Sequence, residues 1–188
     1  MIFTILSIFL ILILIGIITI FVLIYNKFQR LHNGAETGLS QIEVALKKRL
    51  DMITQLADVV KGYADYEKNL MENITKIRTL IKKNISPDKI DKINSDSKDI
   101  LNNLIFVAEN YPDLKASKSF IDLMNAIKDV EGEISRQRYT YNNIVQEYNT
   151  RLEIIPSNLV AKIFSYKKLE YLKFEENLKK GPDLEMYK

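Results

Sequence analysis

Residues 119–155 read SFIDLMNAIKDVEGEISRQRYTYNNIVQEYNTRLEII, and this stretch decides the fold class. Apolar and aromatic residues recur in it mostly at steps of three and four, which places them on one face of an α-helix. They are Leu123, Ile127, Val130, Ile134, Tyr141, Ile144, Val145, Tyr148, Leu152 and Ile155. As a helix, these 37 residues are about 55 Å long, and such a helix cannot bury its apolar face alone. The sequence therefore predicts other helices that cover it.

The composition predicts an all-α protein. Only 6 Gly and 4 Pro occur in 188 residues, and no alternating Val, Thr or Tyr run bounded by turn residues indicates a β-strand. The formal net charge is +3 with Lys and Glu interspersed, so no basic stripe of the kind that binds nucleic acid is evident. The absence of Cys excludes disulfides, thiolate metal sites and cysteine nucleophiles.

Residues 2–24 predict a transmembrane helix. They contain 19 Ile, Leu, Phe or Val residues and no charge. Their helical length of about 35 Å exceeds the roughly 30 Å hydrocarbon core of a bilayer. A cleavable signal peptide is disfavoured, because the apolar run is too long, no basic residue precedes it and no small-residue cleavage site follows. We therefore expect a retained, single-pass anchor in the cell membrane. Lys27 and Arg30 after the span favour the cytoplasm for the remaining chain.

Three further helical patterns surround the opening stretch. The same spacing continues from residue 25 to residue 63, with possible breaks at Gly34 and Gly38 and a stop at Gly62. A second helix is expected to restart near residue 65 and to end at residue 81. The third helix is expected to begin after Ser86 as its cap, with Pro87 in the first turn, and to end at Pro112. The fourth is expected to begin with a capping box of Ser119 and Asp122.

Short connections between successive helices favour antiparallel neighbours. The predicted architecture is an N-terminal transmembrane helix followed by an antiparallel up-down bundle of four long helices. The expected division is an anchor at residues 1–26, a bundle domain at residues 27–164, and a C-terminal segment at residues 165–188 with a short helix and then a frayed tail.

The residue types that carry chemistry are scarce. Di-iron bundles need paired Glu-x-x-His motifs, whereas His32 is the single histidine of the chain. Without Cys or a spare His, a nucleophile has no activating base, and the scattered glycines form no phosphate loop. We therefore predict no catalytic, cofactor-binding or metal-binding residue, no cofactor and no enzyme activity.

The most particular pattern is Tyr141-Asn142 repeated as Tyr148-Asn149. Seven residues are two helical turns, so both Tyr lie on the core face with both Asn beside it. One interpretation has the rings in the core and the Asn side chains bonded to the backbone of a neighbouring helix end. The other makes the repeat a polar patch for a partner.

Two basic groups allow similar alternatives. Arg136 and Arg138 are interpreted as surface or ion-paired residues, or as a site for a partner or a lipid phosphate. A mixed basic and aromatic series near the C-terminus suits anionic lipid, although acidic residues dilute it. Its members are Lys162, Phe164, Tyr166, Lys167, Lys168, Tyr171, Lys173 and Phe174, interrupted by Glu170, Glu175 and Glu176.

Several short motifs in a fixed order resemble the LemA family of bacterial membrane proteins over nearly the whole chain. They are QIEV (41–44), LKKR (46–49), VKGYA (60–64), YPDLK (111–115), the R-x-x-YN-x-x-V-x-x-YN run (138–149) and P-x-NLVA-x-x-F (156–164). The resemblance implies one transmembrane helix, long antiparallel helices and no established catalytic site. Some relatives are associated with membrane remodelling around magnetosomes, which implies a membrane scaffold. Leu39 and Thr54 stand where the family usually has Trp and Pro.

These observations favour a non-enzymatic, membrane-anchored scaffold or adaptor that presents its bundle to protein partners or to copies of itself. The alternative is a membrane-tethered sensor or ligand-binding bundle, which needs a polar-lined pocket between helices. A third possibility is lipid binding or membrane bending by the domain itself. The identity of the protein partner is not specified by the residues.

Overall fold

The computed structural model describes residues 2–63, 68–81 and 85–173. Every regular element in these residues is a helix, which confirms the predicted all-α class. The helices are α1 (Ile2–Lys61), α2 (Lys68–Leu80), α3 (Pro87–Glu109), α4 (Pro112–Lys115), α5 (Lys118–Glu153) and α6 (Ser157–Ile163).

Helix α1 runs without a break for 60 residues. Its apolar part reaches a mean hydropathy of 3.3 over 18 residues and is long enough to cross a bilayer. No break occurs at Gly34 or Gly38. A Cβ added at either glycine would lie 3.6 Å from Ile144 or 3.5 Å from Tyr141, both ordinary contact distances. The helix continues through both glycines because this face packs closely against α5.

The predicted end of α1 and the predicted start of α3 agree with the structure, whereas α3 ends at Glu109 and Pro112, predicted to end it, begins α4. α1 ends at Lys61, and the N–H groups of Gly62 and Tyr63 donate to the last carbonyl groups of the helix. Ser86 precedes α3 with extended backbone, and Pro87 occupies its first turn. Among the described atoms the Ser86 side chain makes no capping hydrogen bond. The predicted restart near residue 65 lies outside the described residues.

The predicted start of the fourth helix was wrong by two residues. α5 begins at Lys118, so Ser119 lies inside its first turn. The backbone N–H of Phe120 donates to the Ser117 hydroxyl oxygen at 3.3 Å. Ser117 is therefore the capping residue, because it directly precedes the helix and its oxygen reaches the third helical N–H.

The described residues divide into two compact units. Unit 1 comprises residues 2–38 and 139–170, and unit 2 comprises the described parts of residues 39–138 with residues 171–173. In unit 1, α1 and α5 run antiparallel, since contacts pair Lys27 with Glu147 and Gly34 with Ile144. The buried core of unit 1 includes Phe28, Leu31, Tyr148 and Ala161.

Unit 2 has an apolar core to which five helices contribute. Its members include Ile42, Leu46, Leu50, Ile53, Leu56 and Val60 from α1, Ile74 and Ile77 from α2, Ile90, Ile93 and Leu104 from α3, Leu114 from α4, and Phe120, Ile127, Val130 and Ile134 from α5. One guanidinium is buried among them. Arg49 donates to a Glu131 carboxylate oxygen at 3.1 Å, to the Asn94 carbonyl at 3.0 Å and to the Ser97 hydroxyl. These bonds connect α1 with α3 and α5 inside unit 2.

The chain after α6 differs from the predicted short helix as far as it is described. Ser165 has a positive φ of 53°, and residues 166–173 have no regular secondary structure. Residues 174–188, which include the predicted frayed tail, lie outside the described residues. The arrangement of four helices as one bundle and the division at residues 26 and 164 remain predictions.

Candidate functional site

The Tyr-Asn repeat lies in the interior of unit 1. Tyr141 and Tyr148 are 2% and 3% exposed, and Asn142 and Asn149 are 7% and 8% exposed. This burial confirms the core interpretation of the repeat. A polar patch for a protein partner would have required these side chains at the surface.

Asn149 pairs with the backbone of the segment that follows α6. Its Nδ2 donates to the Leu169 carbonyl at 2.9 Å, and the Leu169 N–H donates to Oδ1 at 2.9 Å. The side-chain amide therefore bonds to the main chain as another peptide group would. The sequence predicted this kind of bond, but at a helix end rather than on a segment without regular structure.

Tyr141 holds the next residue of the same segment. Its hydroxyl donates to the Glu170 carbonyl at 2.7 Å. Together, Asn149 and Tyr141 make three hydrogen bonds to two consecutive residues. We call these three bonds the clamp, and residues 165–170 the clamped segment.

Aromatic rings fill the space beneath the clamped segment. The ring of Phe28 meets Tyr148 edge-on at 5.5 Å between centroids and lies 5.0 Å from Tyr166. Gln29 Nε2 donates to the Tyr166 hydroxyl at 2.8 Å. These contacts connect α1, α5 and the clamped segment within unit 1.

A cleft of about 360 Å³ opens at this cluster. It is lined by Phe28, Gln29, His32, Tyr148, Tyr166 and neighbouring residues of the clamped segment. Its polar side chains include an imidazole, an amide, a hydroxyl, two phenols and two amines, which can form hydrogen bonds with a small ligand.

The two phenols of the cleft are not tuned to act as bases at neutral pH. Burial raises the pKa of the Tyr148 phenol, and the nearby Tyr166 adds to this effect. Burial also raises the pKa of Tyr166, although the hydrogen bond from Gln29 opposes it. Both phenols therefore stay protonated at neutral pH, where a general base must be deprotonated.

His32 approaches one acidic residue. Its Nε2 lies 3.5 Å from Glu36 Oε1, one helical turn away, and nearly half of its side chain is exposed. Within the described ranges, no group of three or more His, Asp or Glu residues comes together as a metal site. His32 therefore lies partly exposed on α1 beside a single carboxylate.

Arg138 lies in unit 2 and is ion-paired, as one of its two interpretations predicted. Its Nη2 lies 2.8 Å from Asp91 Oδ1, and the guanidinium also donates to the Lys173 carbonyl. The Lys173 N–H donates to the other Asp91 oxygen at 3.0 Å. This guanidinium holds residue 173 against α3. Arg136 is exposed, so its role in binding a partner or lipid phosphate stays a prediction.

Sequence reasoning missed the clamp and the contacts of Phe164. The ring of Phe164 lies 4.8 Å from Tyr25 and 6.0 Å from Phe21, at the end of the apolar run of α1. The sequence weakly indicated an aromatic surface on α1, because Tyr25 and Phe28 lie at helical spacing directly after the span. Nothing local indicated which part of the chain covers them.

Comparison with known proteins identifies relatives of this chain. The model of the LemA family matches residues 38–185. Protein LemA of Metamycoplasma hominis is 32% identical over 159 residues, which cover 81% of this chain and 72% of that protein. Magnetosome protein MamQ of Magnetospirillum gryphiswaldense is 21% identical, covering 84% of this chain and 68% of its own length. Magnetosome protein MamQ 2 of Paramagnetospirillum magneticum is 21% identical, covering 78% and 64%. These matches and the apolar part of α1 fit a membrane-associated protein with an N-terminal anchor.

Proposed function

Because the chain belongs to the LemA family and carries an apolar helix long enough to cross a bilayer, we propose that it is a single-pass, membrane-anchored scaffold or adaptor. One observation carries the proposal. The apolar span and the core residues Phe28 and Leu31 of unit 1 belong to the same unbroken helix. A helix without a flexible linker fixes the core of unit 1 relative to the membrane, as a scaffold requires.

We also propose that α1, α2, α3 and α5 form one up-down bundle, with residues 27–164 as its domain. Buried apolar residues at helical spacing on each of the four helices support it. The polar contacts inside unit 2 support it as well, since Arg49 bonds to α3 and α5 and Asp51 pairs with Arg78 of α2 at 2.8 Å.

The proposed scaffold is non-enzymatic and contributes to membrane organisation. The phenols of the cleft are protonated at neutral pH, and the single His contacts one carboxylate. Two relatives are named magnetosome proteins, which supports a role at a membrane. Lys27 and Arg30 favour the cytoplasmic side for the domain, because basic residues beside a span tend to remain inside.

The partners are proposed to be other proteins or further copies of this chain. Exposed apolar side chains outside the span offer contact points, among them Val44, Phe106 and Tyr139, each at least 63% exposed. Single exposed apolar residues are common on protein surfaces, so the partner must be found by experiment.

Crosslinking in intact cells tests the proposal. A photo-reactive amino acid replaces Val44, Phe106 or Tyr139 in turn, and the fully buried Ile53 serves as the matched control. We expect discrete crosslinked species at one or more of the exposed positions and none at Ile53, with mass spectrometry separating self-contacts from other partners. If the three exposed positions crosslink no more than Ile53, the scaffold proposal fails. A turnover activity that a point substitution in a polar cluster abolishes would also overturn it.

The second candidate function is a membrane-tethered ligand-binding domain, which the cleft of about 360 Å³ favours. Its volume and its mainly apolar lining with several polar side chains suit a small molecule. Binding there brings a ligand against Tyr148 and Tyr166. We expect a true ligand to change the near-ultraviolet signal of these phenols, and Tyr148→Phe to weaken binding. A screen in which no compound alters that signal removes this candidate.

A further inference from the structure

Helix α6 and the corner before it expose an apolar surface. Five large apolar side chains between residues 154 and 164 are each 42% to 80% exposed. They are Ile154, Ile155, Leu159, Ile163 and Phe164. Exposed apolar side chains concentrated in one short segment indicate a surface that a membrane or another molecule covers.

One face of α6 packs on unit 1, whereas the other is exposed. Ser157, Val160 and Ala161 are buried. Leu159 and Ile163 are four residues apart, so they share one exposed face of the helix. The short helix is thus amphipathic, with its apolar exposed face unoccupied by other described residues.

The position of α6 along α1 identifies what covers this face. Phe164 directly follows α6, and its ring contacts Phe21 and Tyr25. Phe21 lies inside the apolar run of residues 2–24, and Tyr25 is the first residue after it. The C-terminal end of α6 therefore lies at the depth where the span leaves the hydrocarbon core.

Basic residues flank the apolar face. Lys162 lies on α6, and Lys167 and Lys168 follow within the clamped segment, all with exposed side chains. Lys168 also pairs with Glu153 at 2.6 Å. In a membrane the anionic head groups adjoin the acyl chains. The amines are therefore placed to contact the head groups while the exposed apolar side chains contact the acyl chains.

We propose that α6 and residues 154–155 lie in the interfacial layer of the same bilayer that the span crosses, with Ile155, Leu159 and Ile163 buried among the upper acyl chains. The protein is then attached at two places, by a transmembrane helix and by a short interfacial helix whose following residue, Phe164, contacts that span. This inference depends on the proposed membrane anchor and adds a second lipid contact to it.

The absence of Cys from the natural chain makes the test direct. Single variants Leu159→Cys and Ile163→Cys are labelled with an environment-sensitive fluorophore in the full chain, reconstituted in liposomes. Asn103→Cys, at an exposed position of unit 2, is the matched control, and Leu12→Cys within the span is the positive control. Lipids that carry a nitroxide near the head group or near the tail end serve as shallow and deep quenchers.

The proposal expects a blue-shifted emission at positions 159 and 163, with stronger quenching by the shallow nitroxide than by the deep one. Position 103 should keep its aqueous emission and escape quenching. Water-like emission at both α6 positions, with position 12 quenched, overturns this inference and leaves the anchor intact. A blue shift without lipid quenching that grows with the protein-to-lipid ratio shows that another copy covers α6, and this also overturns it. An unquenched position 12 contradicts the anchor itself.

Discussion

The clamp can be tested by removing one side chain. In Asn149→Ala, the segment of residues 165–170 loses both hydrogen bonds to Leu169, whereas Tyr141 still bonds to Glu170. We expect the variant to fold, because α5 keeps its apolar face and Ala favours a helix more than Asn does. The change should appear as more frequent local opening of the clamped segment.

Its magnitude follows from the bonds that are lost. A hydrogen bond within a protein contributes about 0.5–1.5 kcal/mol net, so two contribute about 1–3 kcal/mol. At about 1.4 kcal/mol for each factor of ten, the open population should rise roughly 5- to 140-fold. Tyr141→Phe removes a single bond and should give a smaller increase.

Trypsin provides the assay, because Lys167 and Lys168 lie within the clamped segment. The full chain in lipid nanodiscs is treated with dilute trypsin, and mass spectrometry follows cleavage after these two residues. When opening and closing are fast compared with cleavage, the cleavage rate is proportional to the open population. We therefore expect faster cleavage at these two sites in Asn149→Ala.

Asn143→Ala is the matched control, since Asn143 lies on α5 and is exposed. It should cleave at the natural rate. If Asn149→Ala and Asn143→Ala cleave equally fast after Lys167 and Lys168, Asn149 does not hold the segment. Faster cleavage throughout the chain would instead mean general unfolding, which circular dichroism would detect.

Three further predictions concern other parts of the chain. Arg49→Met removes a fully buried guanidinium and its polar contacts, and should lower the free energy of unfolding by about 3 kcal/mol; in urea unfolding, a loss no greater than that of the exposed control Lys48→Met would contradict it. Gly38→Ala places a Cβ at ordinary contact distance from Tyr141 and should stabilise α1 by about 1 kcal/mol, so a lower Tm would show that Tyr141 leaves no room for a methyl group there. The hydrogen bond from Lys27 is the main cause that lowers the pKa of Glu147, so this pair contributes stability above the ordinary pKa of glutamate and loses it as the pH falls through the lowered folded-state value. Lys27→Met should therefore lower the free energy of unfolding at pH 7, and this loss should become smaller as the pH falls below the ordinary pKa of glutamate. A loss that stays constant from pH 7 to pH 3 would rule out the ion pair as its source.

The helices could be predicted from the sequence because their signals are local. The spacing of apolar residues repeats along each helix, and Gly62, Pro87 and Pro112 mark boundaries through backbone properties that act within one turn. The choice between Ser117 and Ser119 as cap was harder, since both are capping residues two positions apart. The cap is the serine whose backbone is non-helical, and the local sequence does not specify which of the two this is.

The contacts of the clamped segment could not be predicted because they join distant residues. Asn149 and Leu169 are 20 residues apart, and Gln29 and Tyr166 are 137 apart. The mixed charged and aromatic sequence after residue 164 has adequate helical propensity, which favoured a helix there. Tertiary hydrogen bonds from Asn149 and Tyr141 override that propensity in residues 166–170.

The clamp also constrains the ligand-binding alternative. The clamped segment bounds one side of the cleft. A ligand that must displace this segment has to offset the free energy of the clamp, which is about 1–3 kcal/mol for the two hydrogen bonds of Asn149 alone. Asn149→Ala would remove that cost and tighten the binding of such a ligand by roughly the same 5- to 140-fold. A scaffold has the opposite requirement, because a looser segment presents a less fixed surface to its partners. Tighter ligand binding in the variant would therefore favour the sensor, whereas weaker crosslinking to partners would favour the scaffold.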